Sequence, residues 1–275
     1  MKIAFQGEAG AYSEMALYKF NPNAQAIGFE LSEQVCDAVL NEEASLGILP
    51  VENSIVGNVD VNTDLLYTHD FFVINEVFFP IEHKLLAPIG SKLEEIQLVS
   101  SHPVALAQCR AFLNKHKIIP IPEYDTAGSA KKLYNIPRGE KAAIASSLAA
   151  EYYGLDILAE DIQKTKNNIT RFFVFVKKDK IPWDIKEEKT SLAFEAHDHP
   201  GALLECLQVF KDFGINLTKL ESRPIPENPF AYTFFVDFIG GPREKKVEEC
   251  LQELKKHSSK IKIIGSYPLG EQEFL

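Results

Sequence analysis

The chain has 275 residues, 45% of them hydrophobic and 25% charged, with a formal net charge of -10. That balance describes ordinary globular material with room for about two domains, and the negative charge argues against non-specific nucleic-acid binding. No apolar run approaches the roughly 18 residues that span a bilayer, and the start "MKIAFQGEAG" lacks an apolar signal core, so a cytoplasmic protein with no membrane or nucleic-acid partner is expected. Cys36, Cys109, Cys206 and Cys250 are far apart and lie in apolar helical patterns. They read as buried, reduced thiols, with neither a disulfide framework nor a zinc site.

From residue 1 to about 178, strand-like and helix-like segments alternate, which predicts an α/β architecture. "KIAFQG" reads as a strand, followed by a glycine turn and a helix from Ser13 to Phe20. "SEQVCDAVLNEE" reads as a helix with Ser32 as N-cap, and "SLGILPV" as the next strand. After Val51 come Glu52, Asn53 and Ser54, a polar turn in which a helix-capping role suits Ser54. A helix from Asn62 to Thr68 leads into extended "FFVINEVFF". Then "IQLVSS" ends at Ser101 and His102, ahead of a helix from Pro103 to Lys115, with Ser101 as its candidate cap and Gln108 on the face that Ser101 begins. "KIIPI", a helix from Thr126 to Tyr134, "AAIA", a helix from Ser147 to Tyr153, and "NNITRFFVF" complete the series.

Ligands of open α/β sheets sit beyond the C-terminal ends of strands, which makes "VENS", "SSHP…Q" and "NNITRF" the candidate sites. Alternation along the last strand sets Thr170 with Phe172 and Val174, and Arg171 with Phe173 and Phe175. Both faces read as buried, so Arg171 needs an anion, either an internal carboxylate or a bound ligand. Histidine as a residue type can exchange a proton near neutral pH, which makes His102 a candidate acid or base, but no partner is spaced to make a triad or a metal site with it. "GEAGAYS" has neither phosphate-loop spacing.

Residues 178–189, crowded with charges around Pro182 and Trp183, read as a linker. Beyond it "SLAFEA" alternates, Leu203, Leu207 and Phe210 keep helical spacing, and Gly214 stops that helix. Two strands follow, the second with Phe230, Tyr232, Phe234, Val236 and Phe238 on one face. A helix striped by Val247, Leu251 and Leu254 precedes the closing strand "IKIIGSY". The order βαββαβ is ferredoxin-like, with an edge open to a second copy. Patterning therefore describes a two-lobed α/β binder of a small anion with a second unit attached.

Taken in order, "FQGEAGAYSE", "LPVENSIVGNV", "SHPVALAQC", "DTAGSA", "NITRFFVF" and "HPGALLECLQVFKDFGINLTKLESRP" resemble the prephenate dehydratases that carry a C-terminal ACT domain. The resemblance implies a catalytic region over residues 1–178, with two subdomains folded like a type II periplasmic binding protein around a cleft, and an ACT domain over 190–268. It implies conversion of prephenate to phenylpyruvate with loss of water and carbon dioxide, with no cofactor and no metal. Thr170 would be the hydrogen-bond donor to the leaving hydroxyl, with Asn53, Ser101 and Gln108 holding the substrate. Arg171 would serve a substrate carboxylate or an internal acid, and Glu52, Ser54, His102 and Phe172 would line the substrate, Phe172 on the cleft floor. Regulatory L-phenylalanine would bind at Gly201, Ala202, Leu203 and Leu204 and at Asn216, Glu221, Ser222, Arg223 and Pro224, in a homodimer or homotetramer. Leu204 departs from the family's usual valine. Arogenate as substrate, or a catalytically silent amino-acid sensor, are the alternatives.

Overall fold

The computed structural model describes residues 1–225 and 228–271; the side chains of Pro229 and Phe230 lie outside the described residues, and with them the face expected for Phe230. Contacts divide the chain into two units that do not follow chain order: residues 1–62 group with 77–172, and 63–76 with 173–271.

In the first unit, β1 (Lys2–Gln6), α1 (Tyr12–Phe20), β2 (Gln25–Phe29), α2 (Ser32–Leu40), β3 (Leu46–Asn53) and β4 (Gly57–Asn58) build one lobe. β1 lies between β2 and β3, parallel to both, and Ile3, Ala4 and Phe5 are buried because helices pack on the strand. Leu31, not Ser32, is the N-cap of α2; the Ser32 hydroxyl instead donates to Gln6 Oε1 at 3.0 Å. α3 (Asp60–Thr68) and β5 (Phe71–Pro80) follow, their residues shared between the units.

The second lobe holds β6 (Lys84–Pro88), β7 (Leu98–Ser101), α4 (Pro103–Gln108), α5 (Arg110–His116), β8 (Ile119–Pro122), α6 (Thr126–Lys131), β9 (Lys141–Ala145), α7 (Ser147–Tyr153) and β10 (Leu155–Ala159). Its strand order is β10-β6-β9-β7-β8, with β6 antiparallel to both neighbours and β7 parallel to both of its own. The single helix expected from Pro103 to Lys115 is broken at Cys109, where the Gln108 carbonyl accepts from the Lys164 N–H at 3.1 Å. The expected run to Tyr134 ends at Lys131, and the next turn tightens into i to i+3 bonds from Leu133 and Tyr134.

β11 (Ile169–Lys177) brings the chain back from the second lobe, and the two crossings touch where the Ile81 N–H donates to the Asn168 carbonyl at 2.7 Å. The lobes are also tied across the loop after β1. Ser146 Oγ donates to the Gly10 carbonyl at 2.5 Å, and Tyr153 donates to that of Ala9 at 2.8 Å. Gly10 has φ +88, and a Cβ there would come 2.6 Å from the Ala149 backbone, so this approach requires glycine.

In the second unit, β12 (Lys189–Ala196), α8 (Ala202–Asp212), β13 (Leu217–Ile225), β14 (Asn228–Ile239), α9 (Lys245–His257) and β15 (Ser258–Tyr267) have the expected βαββαβ order. The sheet runs β13-β14-β12-β15, and both helices pack on one face around Phe194, Phe210, Phe238 and Leu254. The amino-terminal part of β5 runs parallel beside β15. There Lys189 Nζ meets Glu76 at 2.9 and 3.2 Å, the side chains 7% and 1% exposed, and the Gly270 N–H donates to the same carboxylate at 3.1 Å. All four cysteines are free and buried, and burial pushes the thiols of Cys36 and Cys109 up to about 12, leaving both protonated. Among the described residues, no helix is long and apolar enough to cross a membrane.

Candidate active site

β3 ends at Asn53 and β11 begins at Ile169, and these two strand ends assemble a chain of amides. Asn53 Oδ1 accepts from the backbone N–H groups of Ile55 and Val56, both at 3.0 Å. Two fixed donors on one oxygen set the orientation of that amide. Its Nδ2 therefore faces Asn168 Oδ1 at 2.8 Å and Thr170 Oγ1 at 2.9 Å. Asn168 Nδ2 in turn donates to Gln108 Oε1 at 3.1 Å, and His83 Nε2 lies 2.8 Å from the same oxygen. At the far end, the Tyr12 hydroxyl is 3.0 Å from His83 Nδ1 and 2.8 Å from the Glu82 carbonyl.

The polarity of this chain has a chemical consequence at Thr170. Its oxygen accepts from Asn53, and among the described residues its hydroxyl proton has no acceptor. A hydroxyl that accepts a hydrogen bond becomes a stronger donor, so the group is set to donate. Gln108 Nε2 likewise makes no hydrogen bond among the described residues. Thr170 is buried, Gln108 half-buried, and His83 buried deeply enough that desolvation lowers its pKa despite the bond to Gln108.

Arg171 points to the other face of the strand. Its guanidinium, with the side chain 5% exposed, lies 3.5 Å from Glu52 and 5.9 Å from the Phe78 ring centroid. The anion expected near Arg171 is thus met by an internal carboxylate. Residues on the two strand ends match in turn: Thr170 meets Asn53 and Arg171 meets Glu52, which keeps them on opposite faces as alternation requires. Ser54 is not a helix cap. It clamps the strand ends, accepting from Ile169 N–H at 3.0 Å and donating to the Asn167 carbonyl at 2.9 Å. Phe172 is buried within the strand. Ser101 is not the cap of α4; it is fully buried and donates to the Ile144 carbonyl at 2.6 Å. His102 is the cap, its Nδ1 accepting from Val104 N–H at 3.3 Å.

Sequence reasoning brought Asn53, Gln108 and Thr170 to one place and missed Tyr12, His83 and Asn168. Asn168 stood in the "NN" before the strand, and His83 in "IEHKLL", a lone histidine between two apolar runs. Neither residue has a local periodicity that marks a site.

In the second unit, Gly201, Ala202, Leu203 and Leu204 line a cavity of about 360 Å³ together with His197, Tyr232 and Phe234. Gly201 has φ +91, and a Cβ there meets nothing within 4 Å, so open space adjoins the start of α8. Leu203 packs partly on the core, whereas Leu204 is 68% exposed. On β13 the "ESRP" stretch divides. Ser222 and Pro224 pair with Phe234 and Tyr232, beside the cavity, while Glu221 and Arg223 pair with Phe235 and Thr233 on the opposite face. Arg223 Nε donates to Glu221 there at 2.5 Å. Asn216 is exposed just before β13, its carbonyl accepting from Ile239 N–H at 3.1 Å.

A polar site at the strand ends of a two-lobed α/β core, followed by a ferredoxin-like unit with a small cavity, defines a small-molecule enzyme with an appended sensing module. The sequence matches the Prephenate dehydratase family over residues 3–180 and the ACT domain over 190–256, and the chain belongs to the prephenate dehydratase family. It is 37% identical to arogenate dehydratase/prephenate dehydratase 2 of Arabidopsis thaliana, a chloroplastic protein, over 98% of this chain and 73% of that one. Among solved structures it is similar to GqqA, a quorum quenching acylase, with a TM-score of 0.90, 34% identity and 98% of both chains covered. It is also similar to the prephenate dehydratase of Arthrobacter aurescens in complex with L-Phe, with a TM-score of 0.88, 32% identity, and 98% and 90% of the chains covered.

Proposed function

We propose that this protein converts prephenate to phenylpyruvate, water and carbon dioxide. In prephenate, breaking the bond to the ring carboxyl group sends its electron pair into the ring as the ring hydroxyl departs with its own. Aromatisation drives the reaction, so the enzyme must orient the substrate and stabilise the leaving oxygen. The observation that carries the reading is the Thr170 hydroxyl, which accepts from Asn53 and keeps its proton for an external oxygen. Thr170 donates to the leaving oxygen as that atom gains charge, and a solvent proton completes the water. Gln108 supplies a second donor to the substrate. Arg171, neutralised by Glu52, holds the end of β3 against β11.

Phenylalanine is the proposed ligand of the cavity at Gly201, where the start of α8 offers backbone N–H groups to a carboxylate. A second copy pairing at the open edge of β13 would bring its own Ser222 and Pro224 region to that cavity, in a homodimer or homotetramer. The proposed compartment is the cytoplasm, which suits four reduced cysteines.

Side-by-side turnover of prephenate and arogenate tests the substrate, with the higher kcat/KM expected for prephenate. The likeness to GqqA raises acyl hydrolysis as a second reading. That chemistry needs a base beside its nucleophile, and the group at Thr170 Oγ1 is an amide donor. Release of acyl groups from acylated quorum signals at a rate matching prephenate turnover would reverse this order.

A further inference from the structure

The amide chain has a direction, and the backbone sets it. Ile55 and Val56 N–H groups fix Asn53 Oδ1, so Asn53 Nδ2 must face Asn168 Oδ1. Asn168 Nδ2 must then face Gln108 Oε1, because reversing either amide would place donor against donor. Gln108 Oε1 is therefore an acceptor, and the ring nitrogen 2.8 Å from it has to carry a proton. A neutral imidazole protonated at Nε2 has a lone pair at Nδ1, where the Tyr12 hydroxyl lies at 3.0 Å. The backbone of His83 is itself held, its N–H donating to Gln163 Oε1 at 2.8 Å while Gln163 Nε2 donates to the Ile81 carbonyl at 2.8 Å.

We propose that His83 is a positioning residue for catalysis: its Nε2–H holds the Gln108 amide with oxygen inward, leaving the Nε2 end of that amide as the donor offered to substrate. This rests on the reading of Gln108 as a substrate contact. The one proton of the Tyr12 hydroxyl is directed to the Glu82 carbonyl at 2.8 Å, so the Gln108 oxygen, not Tyr12, selects the tautomer. Without His83, Asn168 alone holds the Gln108 oxygen, and the amide can turn its carbonyl towards an anionic substrate.

The test compares His83→Leu and His83→Gln in the full chain, since a glutamine amide N–H can replace Nε2–H. Turnover of prephenate should fall about ten- to a hundredfold in kcat/KM for His83→Leu and return to within a few-fold for His83→Gln, at closely similar Tm. Wild-type activity within twofold in His83→Leu would overturn the proposal, as would an equal loss in His83→Gln at matching Tm. A second arm needs no substrate. In 15N NMR of the wild-type protein at pH 7.5, the His83 resonances, assigned by their loss in His83→Gln, should show the neutral tautomer protonated at Nε2. A ring protonated at Nδ1 instead would overturn the proposal even with variants that fail to fold. Should the wild type form no phenylpyruvate from prephenate, the reaction assigned above fails, and the tautomer still decides the role of His83.

Discussion

Thr170 has one proton, and its environment decides where that proton goes. Replacing the hydroxyl by a methyl in Thr170→Val keeps the volume and should lower kcat by about two to four orders of magnitude with little change in Tm. Asn53→Asp is the sharper variant. Its carboxylate still accepts from Ile55 and Val56, but it now also accepts from Thr170, turning that hydroxyl away from the substrate. Its kcat should fall nearly as far as that of Thr170→Val, and unchanged turnover would detach Asn53 from the donor. His83 gives a pH signature. Burial lowers its folded pKa below the ordinary value near 6.5, so the unfolded chain binds this proton more readily. Stability is full above that value and declines as pH falls from it through the folded pKa, in surroundings that include Tyr12, Glu82 and Cys109. Urea unfolding between pH 7.5 and 5 should show a smaller decline in His83→Gln. Asn53, Gln108 and Thr170 were legible because they stand at the end of a strand, the end of a helix and the start of a strand, whereas Asn168 and His83 owe their place to contacts made across some 25 to 115 residues of chain.

At the scale of elements, periodicity located the strands and most helices, and its failures have local causes. The helix after Ser101 is apolar-periodic throughout, yet it breaks at Cys109 because Lys164, distant in sequence, claims the Gln108 carbonyl. That break stands beside the residue whose side chain enters the site. Ser32 and Ser101 were read as caps from residue type alone, and both hydroxyls turned out to serve tertiary partners. The buried Lys189–Glu76 pair was invisible for the same reason, as β5 and β12 are far apart in sequence. Lys189→Met removes the cation beside a buried carboxylate; chemical denaturation should show a loss of about 3 kcal/mol or more, and a change below about 1 kcal/mol would mean that the pair is solvated.

At the scale of the whole molecule, an acidic chain must bind an anionic substrate through local donors, while a separate unit reports on a small ligand. If phenylalanine binds the folded second unit alone, a concentration a hundred times its Kd stabilises that state by about 2.7 kcal/mol. Gly201→Val fills the open space and forces a β-branched residue to positive φ, so calorimetry should find phenylalanine binding lost there while basal turnover persists. Inhibition further requires that phenylalanine favour one of two states of differing activity. The most direct test of the account is phenylpyruvate formation from prephenate by the purified chain, measured with and without L-phenylalanine. The account predicts turnover with no added cofactor, suppressed by phenylalanine. A folded, phenylalanine-binding protein that leaves prephenate unchanged would contradict it.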